Sequence, residues 1–593
     1  MLDSVIALSD LLYKANRMKN SANGTPPKTN TRVKDKSPFS ITDASQIAGE
    51  TLEQVGASTE THTGPAARPE PSTGRSAFFV GAGILISRII GLVRQRIFTH
   101  YFGLSGEGDA FSAAFRIPNF LQNVFGEGAL SASFIPVYAK LLAQNDEKEA
   151  ARVANAVFGL LALITSIIVL TGVLATPLFV AVIVSGFRDE RRELTIQLAR
   201  IFFPGAGLLV LSAWCLGVLN SHHRFFISYT APVAWNAAII ASLLFFGNSV
   251  DLPRLALLTA WGSVIGSALQ FGVQLPTVLR LIHHFRPALD VASTHVREVV
   301  RNFFPVFISR GVVQISAFVD AMLASYLGQG AVAALTNAQS LYTLPVSLFG
   351  MSISAAELPT MSQALGTTDV VNETLRRRLT TGLHRIAFFI VPSAMAFLTL
   401  GDVITAVLYQ SGKFTAADSR YVWAILAGSA VGLLASTLGR MYSSTYYALH
   451  DTRTPLRYAL VRLTLTTVLG YLFALPLPRL LGIELRWGAA GLTASAGIAG
   501  WVEFVLLRWS LNRRIGKTGL VGVFVWKLWF AASIAAAVGW GLKLLIGHIH
   551  PIPLAVVVLG GYGVSYFAIT AALRIQESKD VIRRGLRILR LAR

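Results

Sequence analysis

This sequence has almost no cysteine: its 593 residues include one, Cys215, set inside an apolar run. An intrachain disulfide and a cysteine-rich metal site are thereby excluded, and Cys215 reads as a packing residue. Charge is scarce as well. Asp, Glu, Lys and Arg make up 14% of the chain, against about 25% in soluble globular domains. Acidic residues are the scarcer sign, 31 against 52 basic, which leaves a net charge of +21. No Asp-rich loop offers the Mg2+ cluster that a metal-dependent transferase requires. No glycine-rich phosphate loop ends in Lys-Ser/Thr, which excludes self-powering by ATP, and no HExxH pattern occurs.

What the chain does have is apolar length. Hydrophobic residues reach 53%, and after Arg75 about fourteen segments are long enough to span a bilayer at roughly 20 residues each. The fold class is all-α, a polytopic membrane protein. Its basic residues gather in alternate loops, among them Arg152, Arg286, Arg376, Arg453, Arg513 and Lys517, while the opposite loops carry fewer. Lys and Arg mark cytoplasmic loops, so both termini are expected inside. The positive charge then belongs to membrane topology, and no nucleic-acid partner is implied. Residues 1–75 are polar and rich in Ser, Thr, Pro and Gly after a short amphipathic start, the composition of a disordered tail. Residues 576–593 read as a basic amphipathic tail for an anionic leaflet.

The chain also repeats itself. Phe78-Phe79 recurs as Phe303-Phe304, Tyr101 and Gly103 as Tyr326 and Gly328, Phe125-Gly126 as Phe349-Gly350, and Pro136 as Pro359, at offsets of 223 to 225 residues. That separation holds six helices, an even number, so the two copies share one orientation about an axis along the membrane normal. The expected layout is a first lobe over 76–285, a second over 286–515, two extra helices over 516–575, and a cleft between the lobes.

The stretch 78–140 is the most charged of the apolar segments. A helix from about Ala77 to Tyr101 places Arg88 near mid-bilayer, where a charge costs roughly 3 to more than 10 kcal/mol unless it meets water or a partner. On the next helix Asp109, Arg116, Asn123 and Glu127 form one polar stripe at helical spacing. Charged stripes on two neighbouring membrane helices predict a hydrated cavity. The second lobe contributes Arg310, Asp320 and Arg462 from within apolar segments. Arginines in such a cavity bind phosphate through forked, charge-assisted hydrogen bonds, so the expected ligand is an anion bearing phosphates. Asp320 has two readings, a site for Na+ or H+ coupling and a salt-bridge partner of Arg310.

The segments SRIIGLVRQRIFTHYFG, DAFSAAFRIPNFLQNVFGEGALSASFIPVYA, LNSHHRFFISYTAPVAWN, QSGKFTAADS and YALHDTRTPLRYA resemble the MurJ/MviN family. These are lipid II flippases of the multidrug/oligosaccharidyl-lipid/polysaccharide exporter superfamily. The likeness covers roughly 77–575. It implies fourteen helices and alternating access that moves an undecaprenyl-pyrophosphate-linked disaccharide-pentapeptide between leaflets of the bacterial cytoplasmic membrane. It also implies a groove for the polyprenyl tail at the C-terminal helix pair. By motif, Arg88, Arg94 and Asp109 match the family's essential cavity residues. Asp320 matches an acidic position of a sodium site, of whose other ligands Thr493 remains while Gly470 and Ala474 stand where polar groups are expected. Gln122 and Ser340 occupy places where relatives carry arginine, Thr343 stands at an acidic position, and Arg310 is the candidate replacement cation. The substrate-binding set is therefore Arg88, Arg94, Asp109 and Arg310, with Asp320 and Thr493 for a coupling cation. The energy source is then Na+, H+ or the membrane potential, with no cofactor.

Other classes stay open at this point. An exporter of another polyprenyl-linked saccharide or of a small solute would use the same lobes, although only a lipid substrate needs a tail groove. A membrane glycosyl- or phospho-transferase would need the missing Mg2+ cluster. A non-transporting scaffold for the cell-wall synthesis machinery would tolerate neutralisation of Arg88, Arg94 and Asp109.

Overall fold

The computed structural model describes residues 73–583 except 126–129, 132, 283, 364–366, 548 and 582, with backbone alone at 73–85, 305–306, 308–313, 359 and 368. The two tails expected at the termini fall outside it but for their inner edges, as do Glu127 and the side chain of Arg310.

The described residues are helical apart from loops and a single antiparallel bridge, Ser411 with Phe414. Helix is what a lipid-embedded chain must form, because it satisfies every backbone N–H and C=O internally. The first lobe holds α1 (Thr73–Phe102), α2 (Gly106–Phe125, resuming at Ile135–Ala143), α3 (Glu147–Ile183), α4 (Asp189–Ser221), α5 (Phe225–Phe246) and α6 (Leu252–Leu281). The second holds α7 (Thr294–Ser325), α8 (Ala331–Pro345, then Val346–Met351 and Ser352–Ser362), α9 (Thr368–Thr399), α10 (Ala416–Ala448), α11 (Arg453–Ala474) and α12 (Gly488–Ile515). α13 (Gly522–Ile546) and α14 (Pro551–Ala572) complete the chain. Eleven of these helices are long and apolar enough to cross a membrane. The remaining three, α1, α2 and α7, also reach spanning length and carry charge inside it, which gives the fourteen expected.

The duplication is visible in how the helices pair. In the first lobe α1 packs on α5, α2 on α4, α3 on α4, α4 on α6 and α5 on α6; adding six to each label gives the pairings of the second lobe. Small residues allow the closest of these: Gly432 of α10 and Gly497 of α12 meet backbone to backbone, leaving no room for a Cβ on either. Outward faces are apolar at helical spacing, as Leu170, Leu174, Leu178 and Val182 on α3 and Trp261, Ile265, Leu269 and Val273 on α6 are all exposed. Such broad apolar belts suit lipid, not water.

α13 and α14 pack on each other, α13 on α9 and α14 on the short helix Gly401–Tyr409 that follows α9. The hydroxyls of Tyr562 and Tyr566 donate to the carbonyls of Pro392 and Phe388 at 2.6 and 2.7 Å, and Lys543 pairs with Asp402 at 2.5 Å. α8 changes winding midway: after Pro345 the residues Val346–Met351 form a π-helical turn before the α-helix resumes, a feature that recurs at functional sites.

Candidate functional site

Both ends of the cleft between the lobes can be read from contacts. At the end carrying the loop after α1, the lobes are sewn together. Asp109, on the first turn of α2, is fully buried and accepts the backbone N–H groups of Gly330 (2.6 Å) and Ala333 (2.8 Å) at the start of α8. Arg191 of α4 approaches the same carboxylate at 3.7 Å. An acidic group at a helix N-terminus meets both its free donors and its positive dipole end, so Asp109 acts as an N-cap supplied by the other lobe. Around it Gln95 donates to Asn337 at 2.8 Å, Arg96 to the carbonyls of Val407 and Leu408 at 2.5 and 3.1 Å, and the Lys413 N–H to the His100 carbonyl at 2.8 Å. Gly330 has φ +83°, and a Cβ there would lie 2.6 Å from the Leu104 carbonyl oxygen. This seam closes one end of the cleft.

α1 joins the second lobe by hydrogen bonds only at residues 95–100 among those described. α2 and α7 stay together over a longer stretch, through Phe120 with Phe318 (5.7 Å between ring centres) and Phe125 with Phe307 (4.9 Å). At the opposite, basic end the segment linking the lobes is strapped to α3. Arg152 donates to Asp290 at 2.7 Å, Asn155 to the His284 carbonyl at 2.8 Å and Ser293 to Glu149 at 2.6 Å.

Between these ends lie two cavities of about 510 Å3 each, one per lobe, which share Gln339 and Thr343 of α8 as a common wall. The first is lined by Arg88, Arg94 and Arg116 with Asn119, Trp235 and Asn236. Arg88 makes no hydrogen bond or ion pair among the described residues and is exposed to the cavity. The Arg94 guanidinium lies 4.9 Å from the centre of the Trp235 ring, whose indole N–H is held by Ser263 at 3.1 Å. Arg116 reaches across to the second lobe, donating to the Ala317 carbonyl at 2.9 Å and to Thr336 at 3.4 Å. Three guanidinium groups on two helices, with carboxylates absent from this cavity's described lining, favour an anion.

The second cavity holds Asp320, Arg440, Arg462 and Thr493. One carboxylate oxygen of Asp320 is buried with no hydrogen-bond partner among the described residues, and the cations whose charge it feels are Arg116 and Arg462. Arg462 is itself bound by Glu503 at 3.0 Å. The Thr493 hydroxyl donates to the Ile425 carbonyl at 2.8 Å, which leaves its lone pairs free to accept or coordinate. Gly470 and Ala474 supply no side-chain oxygen.

The structure thus brings Arg88 and Arg94 together in one cavity and puts Asp320 and Thr493 on the wall of the other. It places Asp109 at the seam, outside both linings, because its oxygens are taken by the α8 backbone. Arg310 lies on α7, and its side chain is outside the described residues. Gln122 lines a small space behind Phe115 and Asn119, and Ser340 and Thr343 face the first cavity. Sequence reasoning passed over Arg440, Gln339 and the hydrogen-bonded pair Tyr342 and Ser436 (2.7 Å). Arg440 was detectable by the test that singled out Arg88, a cation inside an apolar run.

Comparison with known proteins bears on this arrangement. The family model described as lipid II flippase MurJ matches residues 98–556. The chain is 30% identical over 446 residues to the lipid II flippase MurJ of Burkholderia cenocepacia, covering 74% of this chain and 84% of that one. It is 30% identical over 482 residues to a probable lipid II flippase MurJ of Rhizobium tropici, covering 79% and 86%. In fold it resembles a solved lipid II flippase MurJ in an inward closed conformation, with TM-score 0.70, 24% identity, and coverage of 85% of this chain and all of that one. An inward-facing multidrug resistance MATE transporter of the MOP superfamily aligns with TM-score 0.60 at 18% identity, covering 74% and 98%. The chain belongs to the lipid II flippase MurJ family.

Proposed function

We propose that this chain is a lipid II flippase, carrying the undecaprenyl-pyrophosphate-linked disaccharide-pentapeptide from the inner to the outer leaflet of the bacterial cytoplasmic membrane. The observation that carries the reading is the cavity lined by Arg88, Arg94 and Arg116 between two lobes that the Asp109 seam joins at one end. The basic end faces the cytoplasm by the positive-inside rule, with both termini on that side, so the seam closes the outer end.

The pyrophosphate binds the free guanidinium of Arg88 and that of Arg94, where forked donors match its oxygens. The sugars and peptide occupy the polar cleft, and the polyprenyl chain stays in lipid. Outward opening then requires Asp109 to release the α8 N-terminus, so the same residue that closes the outer gate must let go in each cycle. Alternation is a population shift between two packings of the lobes, and substrate moves it by binding one of them better.

Asp320 is the coupling site in this reading. An orphaned carboxylate oxygen in the cavity that Thr493 also lines fits a proton or a singly charged cation such as Na+, and binding it would neutralise a charge that otherwise attracts Arg116 across the lobes. The direct test of the whole function is complementation of a flippase-depleted bacterium, where this chain is expected to restore growth and cell shape. Failure at normal membrane levels would turn the reading toward another polyprenyl-linked saccharide.

A further inference from the structure

We infer that Arg440 forms a second anion subsite, which recognises a carboxylate of the substrate's peptide stem, distinct from the pyrophosphate site in the first lobe. The inference rests on the flippase reading and assigns the distal part of the headgroup to a place in the second lobe.

Arg440 lies on α10 eight residues before Ala448, about 12 Å inside that end of the helix at 1.5 Å per residue. Its side chain lines the second cavity and is exposed to it. Among the described residues it makes no hydrogen bond or ion pair, whereas the other cation of this cavity, Arg462, is taken by Glu503 at 3.0 Å. A guanidinium inside a membrane protein with five donors unused is costly unless something fills it. Neighbouring hydroxyls are already organised: Tyr342 and Ser436 hold each other at 2.7 Å on the same wall.

The ligand chemistry follows from the other end of the substrate. The pyrophosphate is tied to a polyprenyl chain that must remain in lipid, so it sits by α1, where Arg88 faces the cavity while Ile86, Ile89 and Val93 are exposed outward. Arg440 is on the far side of the wall shared at Gln339 and Thr343. A five-residue stem reaches up to about 17 Å and ends in a free carboxylate. Carboxylate is the anion that this part of the molecule offers to a forked guanidinium.

The experiment measures binding of two probes to the purified full chain: lipid II with its full stem, and undecaprenyl pyrophosphate, which lacks sugars and peptide. Arg440→Ala is expected to weaken lipid II binding ten- to a hundredfold and to leave undecaprenyl pyrophosphate unchanged, with Arg440→Lys recovering part of the loss. Arg88→Ala should weaken both probes. Equal weakening of both probes by Arg440→Ala in a protein of normal thermal stability would overturn the proposal, as would no effect on either. Should the alanine variant be unstable, Arg440→Gln gives the same comparison. Silence of Arg88→Ala on both probes would instead count against the flippase reading, whatever Arg440 does.

Discussion

Asp109 of the first lobe and Gly330 of the second are joined by a 2.6 Å hydrogen bond that spans 221 residues of sequence. With Ala333 as the second donor, the carboxylate caps a helix to which it has no covalent neighbourhood. A cap of this kind is local in geometry and global in effect, because it exists only when the lobes meet at this end.

Asp109→Ala removes two charge-assisted hydrogen bonds and the dipole contact, and the seam should weaken by about 2–4 kcal/mol. Cys215 is buried and is the chain's one cysteine, so thiol labelling of a Leu104→Cys protein reports on the seam alone. Labelling from the outer side should rise when Asp109→Ala is added. Unchanged labelling would mean that the other seam contacts hold the gate without it.

Gly330→Ala tests the same closure from the opposite partner. The residue has positive φ, and its Cβ would press on the Leu104 carbonyl oxygen, which costs of order 1–3 kcal/mol. The variant should label at Leu104→Cys as Asp109→Ala does and lose transport while keeping its membrane level. Normal transport would show that the loop yields.

Asp320→Asn should abolish dependence of transport on the coupling cation in a protein that still folds. A transport assay with and without Na+, and across a pH series, separates the two ions. Identical profiles for wild type and variant would leave Asp320 as a contact between helices.

The strap between the lobes should respond to acid. The hydrogen bond from Arg152, together with the backbone N–H of Ala292, holds the Asp290 carboxyl below its usual range. A carboxylate whose folded pKa lies below its unfolded one adds stability above the unfolded value and loses it as pH falls through the folded value. Protection of the amides of residues 286–292, their exchange taken relative to the intrinsic rate at each pH, should therefore be flat near neutrality and fall in acid below about pH 4. Arg152→Ala should move that loss of protection to higher pH; an unmoved profile would show that Asn155 and Glu149 hold the strap alone.

Fourteen spans and two lobes were legible because apolar length and an internal repeat are one-dimensional signals. Arg88 and Arg94 were legible because an uncompensated charge in an apolar run has few uses. Asp109 and Arg116 share one helical face, and periodicity alone assigns them one environment. Depth separates them: Asp109 sits in the first turn, where α8 arrives from the other lobe, and Arg116 two turns further in, where it lines the first cavity and reaches across to Ala317 and Thr336. Arg462 resolves in the same way, since its partner Glu503 comes from the antiparallel neighbour α12 and could not be named from spacing.

The central claim, that lobe-one arginines hold the lipid pyrophosphate, is tested most directly by lipid II binding and outer-leaflet delivery in Arg88→Ala and Arg94→Ala. Hydrogen bonds to a charged group contribute about 1.5–3 kcal/mol each, so each variant should bind roughly ten- to a hundredfold more weakly and deliver correspondingly less, at normal membrane levels. Wild-type binding and delivery in both would contradict the account.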